Sequence, residues 1–151
     1  MLTRRNTLGL LAVTPAAFTL FPTIAMAQEP KVFQNPVAIN ATDPVAYFEQ
    51  EKPVPGSTDH KVQWNGAEWH FASRRNASKF KADPEAYAPV FGGYCAFAAS
   101  RGYLAPTIPE AWTIYEGKLY LNANLRAQEF WRQDIPGNIA AGLKNWPGIL
   151  G

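Results

Sequence analysis

Apolar and polar residues alternate most clearly on either side of Asn65-Gly66, in the segments 60–64 and 67–71. Asn-Gly between alternating runs is a strong signal for a two-residue hairpin turn. Pairing outward from this turn gives one apolar face with the pairs Trp64–Ala67, Val62–Trp69 and His60–Phe71. The opposite face carries Lys61, Gln63, Glu68 and His70. The pattern therefore predicts a β-hairpin with one buried side.

A second hairpin is predicted around Glu116-Gly117. Its apolar face carries Trp112, Ile114, Leu119 and Leu121, and its polar face carries Thr113, Tyr115, Lys118 and Tyr120. Start and stop signals predict short helices from Asp43-Pro44, from Ser73 to about Ala82, from Asp83-Pro84, after Gly92-Gly93, from about Asn124 to Gln133, and from about Gly137 to Trp146. Two hairpins that each bury one face against helices make a single α+β domain.

The first 27 residues have the three parts of an export signal. Arg4 and Arg5 form the basic start, an apolar stretch interrupted by prolines follows, and Ala25-Met26-Ala27 supplies the small residues that a signal peptidase reads. The interrupted stretch is too short for a membrane anchor. We expect residues 1–27 to be a signal peptide, 28–40 a loose lead-in and 41–151 the globular domain. The expected location is the periplasm or another exported compartment, with no membrane span after cleavage.

The adjacent arginines also indicate a route of export. The segment from Thr3 to Leu8 is similar to the twin-arginine motif, but Thr7 stands where that motif has Phe and Gly9 where it has Lys. Both twin-arginine translocation and the general secretory route therefore stay open.

Charge and cysteine content limit the classes of partner. The chain has 14 basic and 12 acidic residues. Both basic residues of the signal segment leave with it, so the rest is formally neutral, and it contains no basic run that would bind nucleic acid. Cys95 is the sole cysteine. The domain therefore has no internal disulfide and depends on packing for stability.

The segment 69–87 resembles the YHS-domain family. It has that family's aromatic-x-Phe start and closes on Asp83-Pro84-Glu85-Ala86-Tyr87, while the upstream Asp43-Pro44-Val45-Ala46 is similar to the family's Asp-Pro-Val-Cys. Residues 91–96 and the hairpin over 112–122 further resemble exported single-domain members. The resemblance implies a YHS-like fold for nearly the whole domain.

The thiols that the YHS resemblance associates with metal binding are missing from this sequence. Their three positions fall on Ala46, Ala72 and Asn76. Alanine has no ligand atom, and asparagine is a poor ligand for a soft metal. The resemblance therefore implies the fold more safely than it implies a metal site.

Cys95 and the two histidines, His70 and His60, are the remaining candidate metal ligands. Cys95 is expected in the first turn of a helix, which would stabilise a thiolate, and Gly92 and Gly93 would let a ligand approach the backbone. A Cys-histidine pair suits Cu(I) or zinc, although zinc usually takes more ligands. The alternatives are a small buried Cys95, a solvated His70 and a His60 at the edge of the core.

Three functions follow from these residues. The first is an exported YHS-like binding domain that holds copper through Cys95 and a histidine. The second is a protein-interaction module in which the aromatic hairpins contact another exported protein and Cys95 only packs. The third is a small thiol enzyme with Cys95 as nucleophile and a histidine as base. No catalytic residue is assigned, because no pattern places a histidine near Cys95.

Overall fold

The computed structural model describes residues 11–24 and 26–151. The predicted signal peptide is only partly covered, since its arginine pair and Ala25 lie outside the described residues. The described residues before Gln28 form neither helix nor strand and are exposed. The Gln28 side chain donates a hydrogen bond of 2.8 Å to the Gly151 carbonyl, and the Glu29 N–H donates one of 2.8 Å to the Leu150 carbonyl. These contacts join the two ends of residues 28–151.

Short helices alternate with two hairpins along the described chain. The elements are α1 (Pro44–Glu49), β1 (Ser57–Trp64), β2 (Ala67–Phe71), α2 (Arg74–Ala82), α3 (Pro84–Tyr87), α4 (Ala96–Ser100), β3 (Trp112–Tyr115), β4 (Lys118–Leu121), α5 (Leu125–Arg132) and α6 (Ile135–Asn145). Strand β1 pairs antiparallel with β2, and β3 with β4, in two separate sheets. The predicted α+β fold is confirmed. None of these helices has the length and apolar character needed to span a membrane.

Side-chain caps begin most of the longer helices. At these helices the capping side chains accept a hydrogen bond from a backbone N–H of the first turn through an oxygen: Asp43, Ser73, Asn124 and Asp134. Such caps satisfy donors that have no partner within the helix. Asp83 precedes α3 but makes no capping bond. The predicted starts are therefore confirmed at α1, α2 and α5, α6 begins at Ile135 rather than at Gly137, and Asp83 is not the cap that its sequence position indicates.

The first hairpin has the predicted register near its turn and departs from it further out. Trp64 lies opposite Ala67, as predicted. An irregularity between Ser57 and Lys61 shifts the register, so that Ser57, rather than His60, lies opposite Phe71. A bulge inserts unpaired residues into one strand and so changes which residues face each other. The predicted His60–Phe71 pair is therefore wrong.

Both hairpins contribute to one main core. Trp69 and Phe71 of β2 pack with Leu119 and Leu121 of β4, and Phe80 of α2 lies against both aromatic rings, 5.0 Å from Trp69 and 5.1 Å from Phe71 between ring centroids. The inward faces predicted from alternation are therefore largely observed. Burial of these large side chains is the main favourable contribution to folding.

The opposite face of β4 is buried as well. Tyr120 was predicted on the polar face of the second hairpin, yet it is buried and its ring lies 5.0 Å from that of Trp131 in α5. The C-terminal helices cover this face and form a second apolar cluster around Tyr120 and Trp131. The alternation along one strand cannot reveal a second covering layer, so the predicted polar face is wrong at Tyr120.

The segment 28–40 is irregular but is not loose. Val32, Ala38 and Ile39 are buried in the main core, and Phe33 packs in a smaller cluster with Tyr94. The expectation of a loose lead-in is corrected, because this segment supplies core side chains without forming a long helix or a strand.

Gly92 and Gly93 allow the segment 28–40 to approach the backbone at residues 92–93 closely. Both have positive φ, +64° and +85°. A Cβ at Gly92 would overlap the Lys31 carbonyl oxygen, and one at Gly93 would overlap the Ile39 side chain. The sequence suggested that these glycines make room for a ligand or a metal. The structure places residues of the same chain there instead.

We predict that Gly92→Ala lowers the free energy of unfolding by about 2–4 kcal/mol, because it combines backbone strain with overlap against Lys31. Urea denaturation measures the change. Gly66→Ala is the matched control, since Gly66 has φ +79° with nothing within 4 Å of an added Cβ. It should lose only the strain cost, about 1–2 kcal/mol. Equal losses at the two positions would contradict the proposed close approach.

Candidate functional site

Asp43 is a fully buried carboxylate with four hydrogen-bond donors. Oδ1 accepts from the N–H groups of Val45 at 2.9 Å and Ala46 at 3.3 Å. Oδ2 accepts from the Ala72 N–H at 2.9 Å and from the Asn76 amide at 2.8 Å. A charge can be buried when hydrogen bonds replace its hydration. Asp43 therefore ties the start of α1 to the β2–α2 connection and to α2.

Three of these donors belong to the positions at which the family resemblance implies thiols. Ala46, Ala72 and Asn76 are separated in the sequence but converge on one carboxylate. The residues present do not fit a soft metal, because two are alanines and the Asn76 amide nitrogen already donates to Asp43. A hydrogen-bonded clamp stands where a thiolate site would be expected.

Cys95 is the N-cap residue of α4 and is only 2 % exposed. Its sulfur accepts hydrogen bonds from the N–H groups of Ala123 at 3.2 Å and Ala98 at 3.5 Å. The thiol lies 3.5 Å from Asn122 Oδ1, to which it donates. The sulfur therefore makes hydrogen bonds within the protein both as acceptor and as donor.

Asn122 is the side chain that accepts the hydrogen bond from the Cys95 thiol, and the sequence alone does not identify it. It is fully buried, and its Oδ1 also accepts from the Phe97 N–H at 3.0 Å. In the described part of the chain its Nδ2 has no hydrogen-bond partner. Asn122 and Cys95 together join the end of β4 to the start of α4. The one available signal was an asparagine directly after a predicted strand, which is too common to indicate this contact.

The expected setting of Cys95 is corrected in one respect. Cys95 was placed in the first turn of a helix that would stabilise a thiolate, but it precedes a helix of only five residues, Ala96–Ser100. Its backbone N–H donates to the Ala105 carbonyl at 3.0 Å, outside that helix. Cys95 therefore acts locally as a helix cap.

His70 is buried rather than solvated. It is 7 % exposed, and its Nε2 donates a hydrogen bond of 2.7 Å to Glu68. Gly56 lies so close that an added Cβ would overlap the His70 backbone. The hydrogen bond from His70, with a smaller contribution from the charge of Lys61, holds the pKa of Glu68 below its usual range. His70 is thus engaged with its own hairpin.

His60 lies in the irregular part of β1 and lines an open cavity beside Lys61 and Arg74. Neither histidine is among the hydrogen-bond partners of Cys95 in the described residues. Residues 11–24 and 26–151 also contain no cluster of three or more His, Cys, Asp or Glu side chains that could hold a metal ion. A site that combines Cys95 with His70 or His60 stays a prediction.

The fold and the Asp43 clamp define a small α+β domain in which helix α1, the first hairpin and helix α2 meet at one buried point. Residues 45–90 are a YHS domain, as the match to that family's model shows. The match ends before Cys95 and before the second hairpin. No curated protein and no solved structure matches the chain. The likeness of residues 91–122 to exported members of the family remains a prediction.

We predict that Asp43→Asn lowers the free energy of unfolding by about 2–4 kcal/mol, because an amide would turn a donor towards groups that already donate. Chemical denaturation with circular dichroism measures this change. Asp83→Asn is the control, since Asp83 is exposed and makes no capping bond. It should change stability by about 0.5 kcal/mol or less. Similar effects at both sites would be evidence against the Asp43 clamp.

We predict that the pKa of Glu68 lies below the ordinary value of 4.5 and rises in His70→Phe. Because the folded-state pKa is lowered, this carboxylate stabilises the fold above its unfolded-state pKa, and the contribution is lost as pH falls through the folded-state pKa. A ¹³C NMR titration of the side-chain carboxyl measures both values. Lys61→Gln should raise the pKa less, since the hydrogen bond from His70 has the larger effect. An unchanged pKa in His70→Phe would contradict this assignment.

Proposed function

We propose that this chain is an exported YHS-domain protein that binds another exported protein, and that Cys95 is structural rather than a metal ligand. The environment of Cys95 is the observation that carries the proposal. Cys95 is 2 % exposed, and its sulfur is hydrogen-bonded to the N–H groups of Ala98 and Ala123 and to Asn122 Oδ1. A metal at Cys95 would have to displace these bonds and open the junction between β4 and α4.

The same observation weighs against the other two functions. Copper would need a further ligand beside Cys95, and the hydrogen-bonded partner of His70 is Glu68 instead. A thiol enzyme would need an accessible sulfur with a base in hydrogen-bond reach. Both functions remain alternatives that the experiment below distinguishes.

The exposed surface of α2 beside the first hairpin is charged rather than aromatic. Trp69 and Phe71 of the first hairpin are buried in the core, so the hairpin aromatics that the sequence offered as a contact surface are largely used for packing. Arg74 and Lys81 of α2 are exposed. Within the described residues, neither makes an ion pair. A binding module therefore has cationic groups available at this side of the domain.

Export is the second part of the proposal. The described residues before Gln28 are exposed, and cleavage after Ala27 would leave the contacts of Gln28 and Glu29 with Leu150 and Gly151 intact. The predicted cleavage site therefore lies directly before the first residue joined to the C-terminal end. We infer a periplasmic or equivalent location for the processed protein.

The test uses protein isolated from the periplasm of cells that express the full chain. We expect a mass that begins at Gln28, metal well below one equivalent, and a thiol that reacts only after denaturation. Cu(I) affinity, measured by competition with a chelator, should be the same for wild type, Cys95→Ser and Cys95→Ala. Cys95→Ala should also lose about 1 kcal/mol of stability through loss of the cap.

Cys95→Ser is the matched control, because a hydroxyl can still accept the capping hydrogen bonds. One equivalent of copper that disappears in Cys95→Ser would overturn the structural role and establish the metal alternative. Retention of the protein in the cytoplasm with residues 1–27 attached would overturn the export part.

A further inference from the structure

Strand β1 has an open edge. In the described residues, the two-stranded sheet pairs β1 with β2 alone. The outer edge of β2 is covered, because the Ala38 N–H donates to the Glu68 carbonyl at 2.9 Å. No comparable backbone contact to β1 is found outside its hairpin in this part of the chain. One edge of the sheet is therefore available for pairing.

The hairpin turn determines which groups face outward along this edge. In a hairpin with a two-residue loop, the residues next to the loop, here Trp64 and Ala67, form a hydrogen-bonded pair. The pairs then alternate, so Lys61 and Gln63 direct their backbone N–H and C=O groups away from β2. These two residues are exposed. They present the donors and acceptors that an added strand requires.

A groove runs beside this edge, between β1 and α2. It consists of two open cavities of about 310 and 360 Å³ that share the lining residues Lys61, Val62 and Lys81. Trp64 lines one end and Arg74 the other. A strand edge flanked by a helix is a geometry in which extended peptides bind, since the edge supplies hydrogen bonds and the helix side contacts alternate side chains.

The groove has a positive charge. Lys61, Arg74 and Lys81 line it together with one acid, Asp59. Lys61 lies 3.7 Å from Glu68, whereas Arg74 and Lys81 have no ion-pair partner within residues 11–24 and 26–151. Arg74 and Lys81 are seven residues apart on α2, about 10 Å along the helix axis. Carboxylates two or four residues apart on an extended chain can reach both.

From this juxtaposition we propose that the groove beside β1 binds an extended acidic segment of a partner protein, which adds to the open edge as a third strand. Its backbone pairs with Lys61 and Gln63. Its carboxylates, two or four residues apart, face α2 and contact Arg74 and Lys81, and the side chains between them lie on the opposite face of the sheet. This inference rests on the proposed interaction function and names its surface and the chemistry of its partner.

A second copy of the chain fits this groove less well. Pairing β1 with β1 of another copy would bring together two edges that each carry Lys61, with Arg74 and Lys81 nearby. Like charges that face each other across an interface are unfavourable. Lysine on an edge strand also discourages pairing between identical edges. The charge of the groove therefore favours an acidic partner over self-association.

The test uses the isolated protein and a capped peptide of alternating glutamate and valine, about ten residues long. We expect saturable binding that weakens as salt is added. Amide hydrogen exchange at Lys61 and Gln63 should slow about tenfold or more at saturation, because strand addition satisfies those N–H groups. The matching lysine–valine peptide should not bind.

Two pairs of variants separate charge from strand pairing. The double substitution Arg74→Glu and Lys81→Glu should weaken binding about tenfold or more, while Lys118→Glu with Lys144→Glu makes the same change of charge at other exposed sites and should have little effect. Gln63→Pro removes an outward N–H and should abolish the exchange protection at the edge. Gln63→Ala keeps that N–H and should retain it. Circular dichroism verifies the fold of each variant.

Several outcomes would overturn the inference: no binding of the acidic peptide, equal binding of the lysine peptide, no effect of the Arg74 and Lys81 reversals, or binding without slowed exchange. A protein that dimerises through β1 would overturn it in favour of self-association. These results are independent of copper binding at Cys95. Failure of the groove proposal and failure of the proposed structural role of Cys95 are therefore distinguishable.

Discussion

The buried carboxylate of Asp43 is the constraint on which the YHS part of the fold depends. Its two oxygens bind the start of α1, the exit from β2 and a side chain on α2. A carboxylate removed from water is stable only while each of these donors stays in place. The packing of α1 and α2 around the first hairpin is therefore coupled to one side chain. Asn76 is part of this coupling because its amide reaches Asp43 at 2.8 Å.

Strand β4 connects this part to the remainder of the domain. Leu119 and Leu121 face the main core, while Tyr120 packs against Trp131 on the opposite side. Directly after the strand, Asn122 connects to Cys95 at the start of α4. The single thiol therefore lies at a junction between two packed layers. The hydrogen bonds of this sulfur hold the end of β4 against the start of α4. Binding of a metal to the sulfur would have to break them.

No thiol stands at Ala46, Ala72 or Asn76, where the family resemblance implies one, and Cys95 is buried. Both facts favour recognition at the surface over metal binding. Asp43 and Asn76 use their polar groups internally, and Cys95 does the same. By contrast, within the part of the chain that the structure describes, the outer edge of β1 makes no backbone hydrogen bond outside its hairpin, and it lies beside the exposed cations Arg74 and Lys81. Edge pairing combined with complementary charge is a sufficient physical basis for recognising an extended chain.

Local chemistry in the sequence determined the elements. The turns at Asn65-Gly66 and Glu116-Gly117, with the alternation around each, predicted the two hairpins, and Ser73 predicted the start of α2, because turns and caps depend on neighbouring residues. The YHS resemblance also located the three absent thiol positions. The sequence predicted burial less well than it predicted the elements. Its alternation indicates a solvated face for His70, which is only 7 % exposed.

Tertiary structure alone decided what lies around these elements. It gathered Ala46, Ala72 and Asn76 about Asp43, covered Tyr120 with C-terminal helices, and filled the space at Gly92 with the Lys31 carbonyl. Alternation along one strand reports a single covered face and carries no information about a second layer or a distant donor. The sequence by itself thus determined that Cys95 is the one thiol. Whether its sulfur faced a ligand or the backbone depended on contacts between residues far apart in the chain.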